Sequence, residues 1–315
     1  MEVVVFGAGS LGSLVGGVLA REHAVTLVGR DPHVAAVRES GLRVTGAVEA
    51  TVAPAATTDG TGLDADLAVV TVKARDTPTA AAALASGSVE TVWSLTNGLT
   101  EETLHGELGD RVLAGTATYG AELVEPGVVR CTGVGELHVG ALPGLGGGAS
   151  GDDGHDTRFD DDPSARAERV AAACRAAGLR CTADADMARR RWEKLAVNVG
   201  INGVTALARV RNGAVRDDPA SETAARAARE TARVARAEGV SLSDEAAVTA
   251  VREVATATAE NRSSTLQDVR AGRQTEADAI LGAVVERGER AGVATPTTRT
   301  LWELLDAWEE RRTSQ

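Results

Sequence analysis

The chain has 315 residues, 45 of them acidic and 33 basic, for a formal net charge of −12. Its 43% hydrophobic and 25% charged residues are globular proportions that exclude a disordered chain, and its length allows one large or two medium domains with real cores. The acidic balance argues against a nucleic-acid partner, because nothing would neutralise the phosphates.

Aromatic residues are only 2% of the chain, so the core must be built from Ala, Val and Leu. Lysine occurs only at Lys73 and Lys194, all other basic residues being arginine. A GC-rich genome and life in high salt would each produce that bias, and under either the two survivors call for a reason. No apolar run approaches the roughly 18–20 residues that span a bilayer, so no membrane partner is expected. The first residues carry no basic region of a secretory signal, and Cys131, Cys174 and Cys181 form no Cys-x-x-Cys pair, which suits reduced thiols. A cytoplasmic location is expected.

Residues 2–6 read as a β-branched strand, followed by Gly7-Ala8-Gly9-Ser10-Leu11-Gly12 and an apolar helix to about residue 21. Further strands fit residues 24–28, 67–72, 91–95 and 111–115, with alanine-rich helical stretches between them. Strands alternating with helices predict a parallel sheet covered on both faces. Residues 128–131 and 136–140 read as extra strands, for which antiparallel pairing is open. The segment 143–164 is rich in Gly and Asp with little to bury, and reads as a solvated surface loop. Its aspartates lack the alternating ligands and central glycine of a calcium loop, so no metal is expected.

From residue 165 the pattern turns helical: 165–177, then, after a strand at 179–182, helices at about 185–208, 219–238, 243–271, 275–291 and 297–311. Gly239 and Gly292 stand where C-terminal glycines belong. The fold class expected is an α/β N-terminal Rossmann-type dinucleotide-binding domain over 1–184 plus an all-α C-terminal substrate domain over 185–315.

Gly7-x-Gly9-x-x-Gly12 lies between a strand and a helix, where glycine permits the tight turn, the approach of a pyrophosphate and close strand–helix packing. The helix N-terminus then presents unpaired donors and a positive dipole end to the anion. The second strand ends Val28-Gly29-Arg30-Asp31, with arginine where an NAD-binding version carries an acid. A guanidinium there can grip a 2′-phosphate, so NADP(H) is expected, although Asp31 alongside leaves the preference open. Lys73 closes the strand at 67–72, and Asn97-Gly98 follows the strand at 91–95, both at the carboxyl ends where ligands bind open α/β sheets.

Lys194, Asn198 and Asn202 are spaced by four on a helix whose intervening residues are apolar. A buried amide without partners costs roughly 1–3 kcal/mol and an unpaired ammonium more, so such a stripe points to a polar ligand. A second polar stripe holds Asn261, Ser264 and Asp268, read as sharing one helical face. Thr275-Glu276 then opens the next helix as a capping pattern.

Glu193-Lys194-Leu195-Ala196-Val197-Asn198 with Asn202, then Asn261-x-Ser263-Ser264-x-Leu266-Gln267-Asp268 and Thr275-Glu276, resemble the ketopantoate reductases (2-dehydropantoate 2-reductases). The glycine motif, Lys73 and Asn97-Gly98 fit the same family, in order and over nearly the whole chain. The resemblance implies NADPH-dependent reduction of 2-dehydropantoate to (R)-pantoate, a step toward pantothenate and coenzyme A. It implies Lys194 as general acid, with Asn198, Asn202, Asn212 and Ser264 as substrate contacts. It further implies Gly7–Gly12 (with Ala8, Gly9, Ser10 and Leu11), Arg30, Lys73, Asn97 and Ala121 as cofactor contacts. Glu276 would be an acid beside the reacting centre, touching both cofactor and substrate. The partner is then a small 2-keto acid, with oligomeric state open and a homodimer allowed. Two alternatives stay open, a reductase or dehydrogenase of another branched 2-keto or 3-hydroxy acid and a non-catalytic NADP-sensing protein.

Overall fold

The computed structural model describes residues 1–142 and 162–313, and within it the chain divides into two compact units: 1–96 with 100–187, and 97–99 with 188–315. The sequence expectation placed residues 97–99 in the first unit. The segment 143–161, most of the expected acidic loop, lies outside the described residues. The end of that stretch is helical: Asp162 accepts from Ser164 N at 3.0 Å and caps a helix that starts at Pro163.

In the first unit the elements in chain order are β1 (Glu2–Phe6), α1 (Ser10–Leu19), β2 (Ala24–Val28), α2 (His33–Ser40), β3 (Leu42–Gly46), β4 (Ala50–Val52), β5 (Ala55–Thr57) and β6 (Asp64–Val70). There follow α3 (Thr77–Ala85), β7 (Ser88–Ser94), α4 (Glu101–Leu108), β8 (Val112–Ala117), β9 (Gly120–Glu125), β10 (Val128–Gly133), β11 (Leu137–Gly140), α5 (Pro163–Ala177) and β12 (Cys181–Ala183). Eight strands form one sheet in the order β12-β11-β8-β7-β6-β1-β2-β5, and β4-β3-β10-β9 form a second. The β1–β2, β1–β6, β6–β7 and β7–β8 pairs are parallel, as helical crossovers require. Its central strands are Val- and Leu-rich because both faces are buried: Val3, Val4, Val5, Leu67, Ala68 and Val69 are each 3% exposed or less. The strand β11 is antiparallel to β8, and β10 is antiparallel to β9 but parallel to β3.

Three differences from the sequence reading bear on function. The strand expected at 67–72 is β6 and ends at Val70, so Lys73 stands beyond it, at the head of a 3-10 turn over Ala74–Asp76. The strands β3, β4, β5 and β9 were not anticipated. They are short or half-exposed, and their sequences carry too few buried positions to signal a strand. The strand expected at 179–182 begins at Cys181.

The second unit is helical: α6 (Met187–Ala208), α7 (Ala220–Ala237), α8 (Asp244–Ala257), α9 (Ser264–Arg270), α10 (Ala283–Ala291) and α11 (Pro296–Thr313). Alanine dominates its core, where Ala224, Ala227, Ala228, Ala232 and Ala235 are fully buried or nearly so. Such small side chains let α7 pack closely against its neighbours. The single helix expected at 243–271 is broken at 258–263. There Asn212 N donates to Asn261 O and Gly213 N to Ala259 O, both at 3.0 Å, so these carbonyls serve a neighbouring turn (Asn212–Arg216). Ser263 restarts the helix as N-cap, accepting from Leu266 N at 3.2 Å. The helix expected from 275 opens with a π-helical segment, Asp278–Gly282, before α10.

Candidate active site

In the first unit, β1 runs into α1 through the three glycines, each needed for a different reason. Gly7 has φ 111°, a conformation that disfavours a side chain, and a Cβ there would meet the Val72 backbone at 2.7 Å. At Gly12 a Cβ would strike Gly7 O at 2.2 Å, so this glycine lets the helix close onto the strand. At Gly9 the nearest atom to such a Cβ is 4.0 Å away, so the protein's own packing does not require a glycine there. The space there is open to an approaching ligand. Gly9 is also the N-cap of α1 and no side chain caps that helix, which leaves the dipole end and first-turn N–H groups facing outward. This cradle fits a pyrophosphate.

Around it, Ala8 is buried and Leu11 half-buried, and Ser10 Oγ accepts from Leu123 N at 3.0 Å, tying the helix to β9, the strand that carries Ala121. Arg30, just beyond β2, is exposed and makes a 3.3 Å ion pair with Asp76. The Asp31 carboxylate accepts from Ala35 N at 3.1 Å, so it serves the first turn of α2. Lys73 is half-buried on extended backbone and its carbonyl accepts from Asp76 N at 2.8 Å.

In the second unit, Lys194, Asn198 and Asn202 lie on α6 as the spacing implied. Asn202 is buried, and Asn198 and Lys194 are half-buried. Burial pushes the Lys194 ammonium below its ordinary pKa, since a low-dielectric surround disfavours the charged form. It makes no ion pair among the described residues. Asn212 is buried at the turn below: its amide nitrogen donates to Thr258 Oγ1 at 2.9 Å, while its oxygen Oδ1 has no partner among the described residues. A buried acceptor left so costs free energy that a bound donor would recover.

Glu276 is buried and its carboxylate accepts from Asn97 Nδ2 at 3.0 Å, so two residues 179 positions apart in the chain meet. Gly98 (φ 91°) makes this possible: a Cβ there would strike Ala279 O at 2.5 Å. Ser264 is exposed at the first turn of α9, but Asn261 lies in the turn before it and shares no helical face with it. The buried hydroxyl is that of its neighbour Ser263, 2.7 Å from Thr205 Oγ1 on α6. Sequence reading missed that pair because nothing local distinguishes Ser263 from Ser264. It also missed Glu309, whose carboxylate accepts from both the backbone and the hydroxyl of Thr275.

A Rossmann-type sheet with a glycine turn, followed by a helical unit that carries a Lys/Asn stripe and a buried Asn97–Glu276 pair, matches an oxidoreductase of the two-part α/β-plus-helical class. Family models bear this out, with "Ketopantoate reductase PanE/ApbA" matching residues 3–144 and "Ketopantoate reductase PanE/ApbA C terminal" matching residues 186–309. The chain is 45% identical to a 2-dehydropantoate 2-reductase of Halobacterium salinarum, over 97% of this chain and 98% of that protein. It superposes with TM-score 0.85 and 31% identity on a PanE/ApbA family ketopantoate reductase from Ralstonia eutropha, covering 99% of this chain and all of that one. It is also similar to a D-mandelate dehydrogenase solved with NADH, at TM-score 0.84 and 25% identity over 99% of each chain. The protein belongs to the ketopantoate reductase family.

Proposed function

We propose that this protein reduces 2-dehydropantoate to (R)-pantoate at the expense of NADPH, with Lys194 as the proton donor. The observation that carries the reading is the α6 stripe, a lysine of lowered pKa with asparagines one and two turns away, on a helix whose other residues from Leu195 to Ala206 are buried. Bound nicotinamide would supply the hydride to C2 of the keto acid. The residues of the chain supply the rest. Charge developing on the carbonyl oxygen needs a proton and electrostatic stabilisation, and the Lys194 ammonium can give both. Asn198, Asn202 and the unpartnered oxygen of Asn212 can orient the carboxylate and hydroxyl groups of the substrate by neutral hydrogen bonds, and the Ser264 hydroxyl would add a further substrate contact. Glu276, held by Asn97, supplies a carboxylate that can accept from substrate or ribose hydroxyls.

Gly7–Gly12 would hold the pyrophosphate, with Lys73 and Ala121 beside the same ligand. Arg30 would meet the 2′-phosphate. With Asp31 engaged at the start of α2, the acid that would favour NADH is turned to another task. Asp76, already paired to Arg30, would have to share it. A second reading, reduction of another branched 2-keto acid, is favoured by the similarity to D-mandelate dehydrogenase.

The test is a steady-state assay of ketopantoate and several other 2-keto acids with NADPH and with NADH, on wild type and Arg30→Ala. Preference for ketopantoate with NADPH, and an Arg30→Ala loss confined to NADPH, are expected. Preference for another acid would sink the substrate assignment, and equal losses with both cofactors would sink the phosphate contact.

A further inference from the structure

The last helix grips the segment that carries Glu276 at two points. Glu309 Oε1 accepts from Thr275 N at 2.8 Å and from Thr275 Oγ1 at 2.5 Å. Arg312, three residues on and therefore on the same face of α11, donates to Gly272 O at 3.0 Å. Between them lies the turn that leaves α9 and leads into Glu276. The hold is passed inward, because Thr275 Oγ1 accepts in turn from Ala277 N at 3.1 Å. Hydrogen bonds therefore fix the backbone on both sides of Glu276, and Asn97 fixes its carboxylate.

The helix that does the gripping is itself anchored. At its other end the buried carboxylate of Glu230 accepts from Thr297 N at 2.9 Å and from Thr298 N and Oγ1, both at 2.8 Å. That carboxylate caps the N-terminus of α11, where the dipole favours it. A helix pinned at its start delivers Glu309 to a defined place.

We propose that the C-terminal turn of α11 is a clamp that sets the Glu276 carboxylate, with Glu309 as its positioning residue. The inference rests on Glu276 taking part in the reaction described above. Glu309 needs to touch neither substrate nor cofactor. Its effect runs through the Thr275–Ala277 backbone, and displacing a reacting group by even an ångström can cost about a hundredfold in rate.

The experiment compares wild type, Glu309→Ala, Glu309→Gln, Glu276→Gln and the Glu276→Gln/Glu309→Ala double variant. Ketopantoate reduction with NADPH is read as kcat and KM, and hydrogen exchange is read over residues 271–277. Glu309→Ala should lower kcat by about tenfold or more and speed exchange across that segment. Glu309→Gln, which keeps an oxygen acceptor, should stay within about twofold of wild type on both readouts. In the Glu276→Gln background Glu309→Ala should cost nothing further, as expected of residues acting as one unit. Equal losses in both backgrounds, or unchanged exchange in Glu309→Ala, would overturn the clamp. If Glu309→Ala does not fold, Glu309→Asp, one methylene shorter, is held to the same pattern and the same overturning results. A wild type that turns over no ketopantoate would refute the substrate reading, and the exchange comparison would still decide the clamp.

Discussion

Lys194 is where composition, position and chemistry converge. A sequence that uses arginine almost everywhere keeps lysine at the head of the α6 stripe, and arginine cannot release a proton at accessible pH. Lys194→Ala and Lys194→Arg should both lower turnover, by roughly 10²–10⁴-fold if proton donation is lost, while NADPH binding by fluorescence titration changes little. The arginine variant isolates the proton, since it keeps the charge; near-wild-type turnover in Lys194→Arg would remove Lys194 as the acid. The pH profile carries the same information with a definite sign. The donor must begin protonated, so reduction should be lost as pH rises through the Lys194 pKa, which burial places below the ordinary lysine value. A kcat profile flat up to the ordinary lysine range would contradict that role. The stripe was legible in the sequence because a four-residue spacing on one helix is local. The Asn97–Glu276 contact was not, because it joins residues far apart in the chain, and only a family resemblance could pair them beforehand.

Among elements, the β1–α1 turn was read most fully from sequence, and the structure separates what its glycines do. Gly12 serves the packing of the protein, whereas at Gly9 the protein leaves room. Gly12→Ala should therefore destabilise the first unit, since its Cβ would overlap a backbone carbonyl. Gly9→Ala should leave the thermal midpoint within about 1 °C while weakening NADPH at least tenfold, a loss of about 1.4 kcal/mol. Differential scanning calorimetry and NADPH titration on the two variants check this, and a Gly9→Ala protein that binds NADPH normally would mean the cradle is structural only. The helices after residue 240 were less legible. The sequence holds no glycine or proline between 243 and 271, so a helix was expected to run through 258–263, yet the carbonyls of Ala259 and Asn261 are taken by the Asn212–Arg216 turn, and Ser263 starts a new helix. Tertiary hydrogen bonds overrode a local pattern there. The strands β3, β4, β5 and β9 failed for the opposite reason, having little pattern to read.

At the scale of the whole molecule, the excess of acidic over basic side chains is the term that no site accounts for. With 45 acidic and 33 basic groups the net charge is −12, and like charges spread over one surface repel one another in the folded state more than in the expanded unfolded chain. The ion pairs among the described residues offset only part of this. Two of them, Arg43–Glu125 and Arg226–Glu222, are exposed on both sides and separated by 3.9 Å, and pairs of that kind contribute little to stability. Salt shortens the reach of the repulsion, from about 10 Å at 0.1 M to about 3 Å at 1 M. It screens the exposed pairs too, but each of those contributes little, so the balance should favour folding. Raising sodium chloride from 0.1 to 1 M at pH 7 should therefore raise the thermal midpoint by a few degrees, each kcal/mol gained corresponding to about 2–4 °C in units of this size. Scanning calorimetry at the two salt concentrations reads the shift directly. If the midpoint stays level or falls, net repulsion is not a destabilising term, and the near-absence of lysine reflects codon usage rather than a surface built for salt.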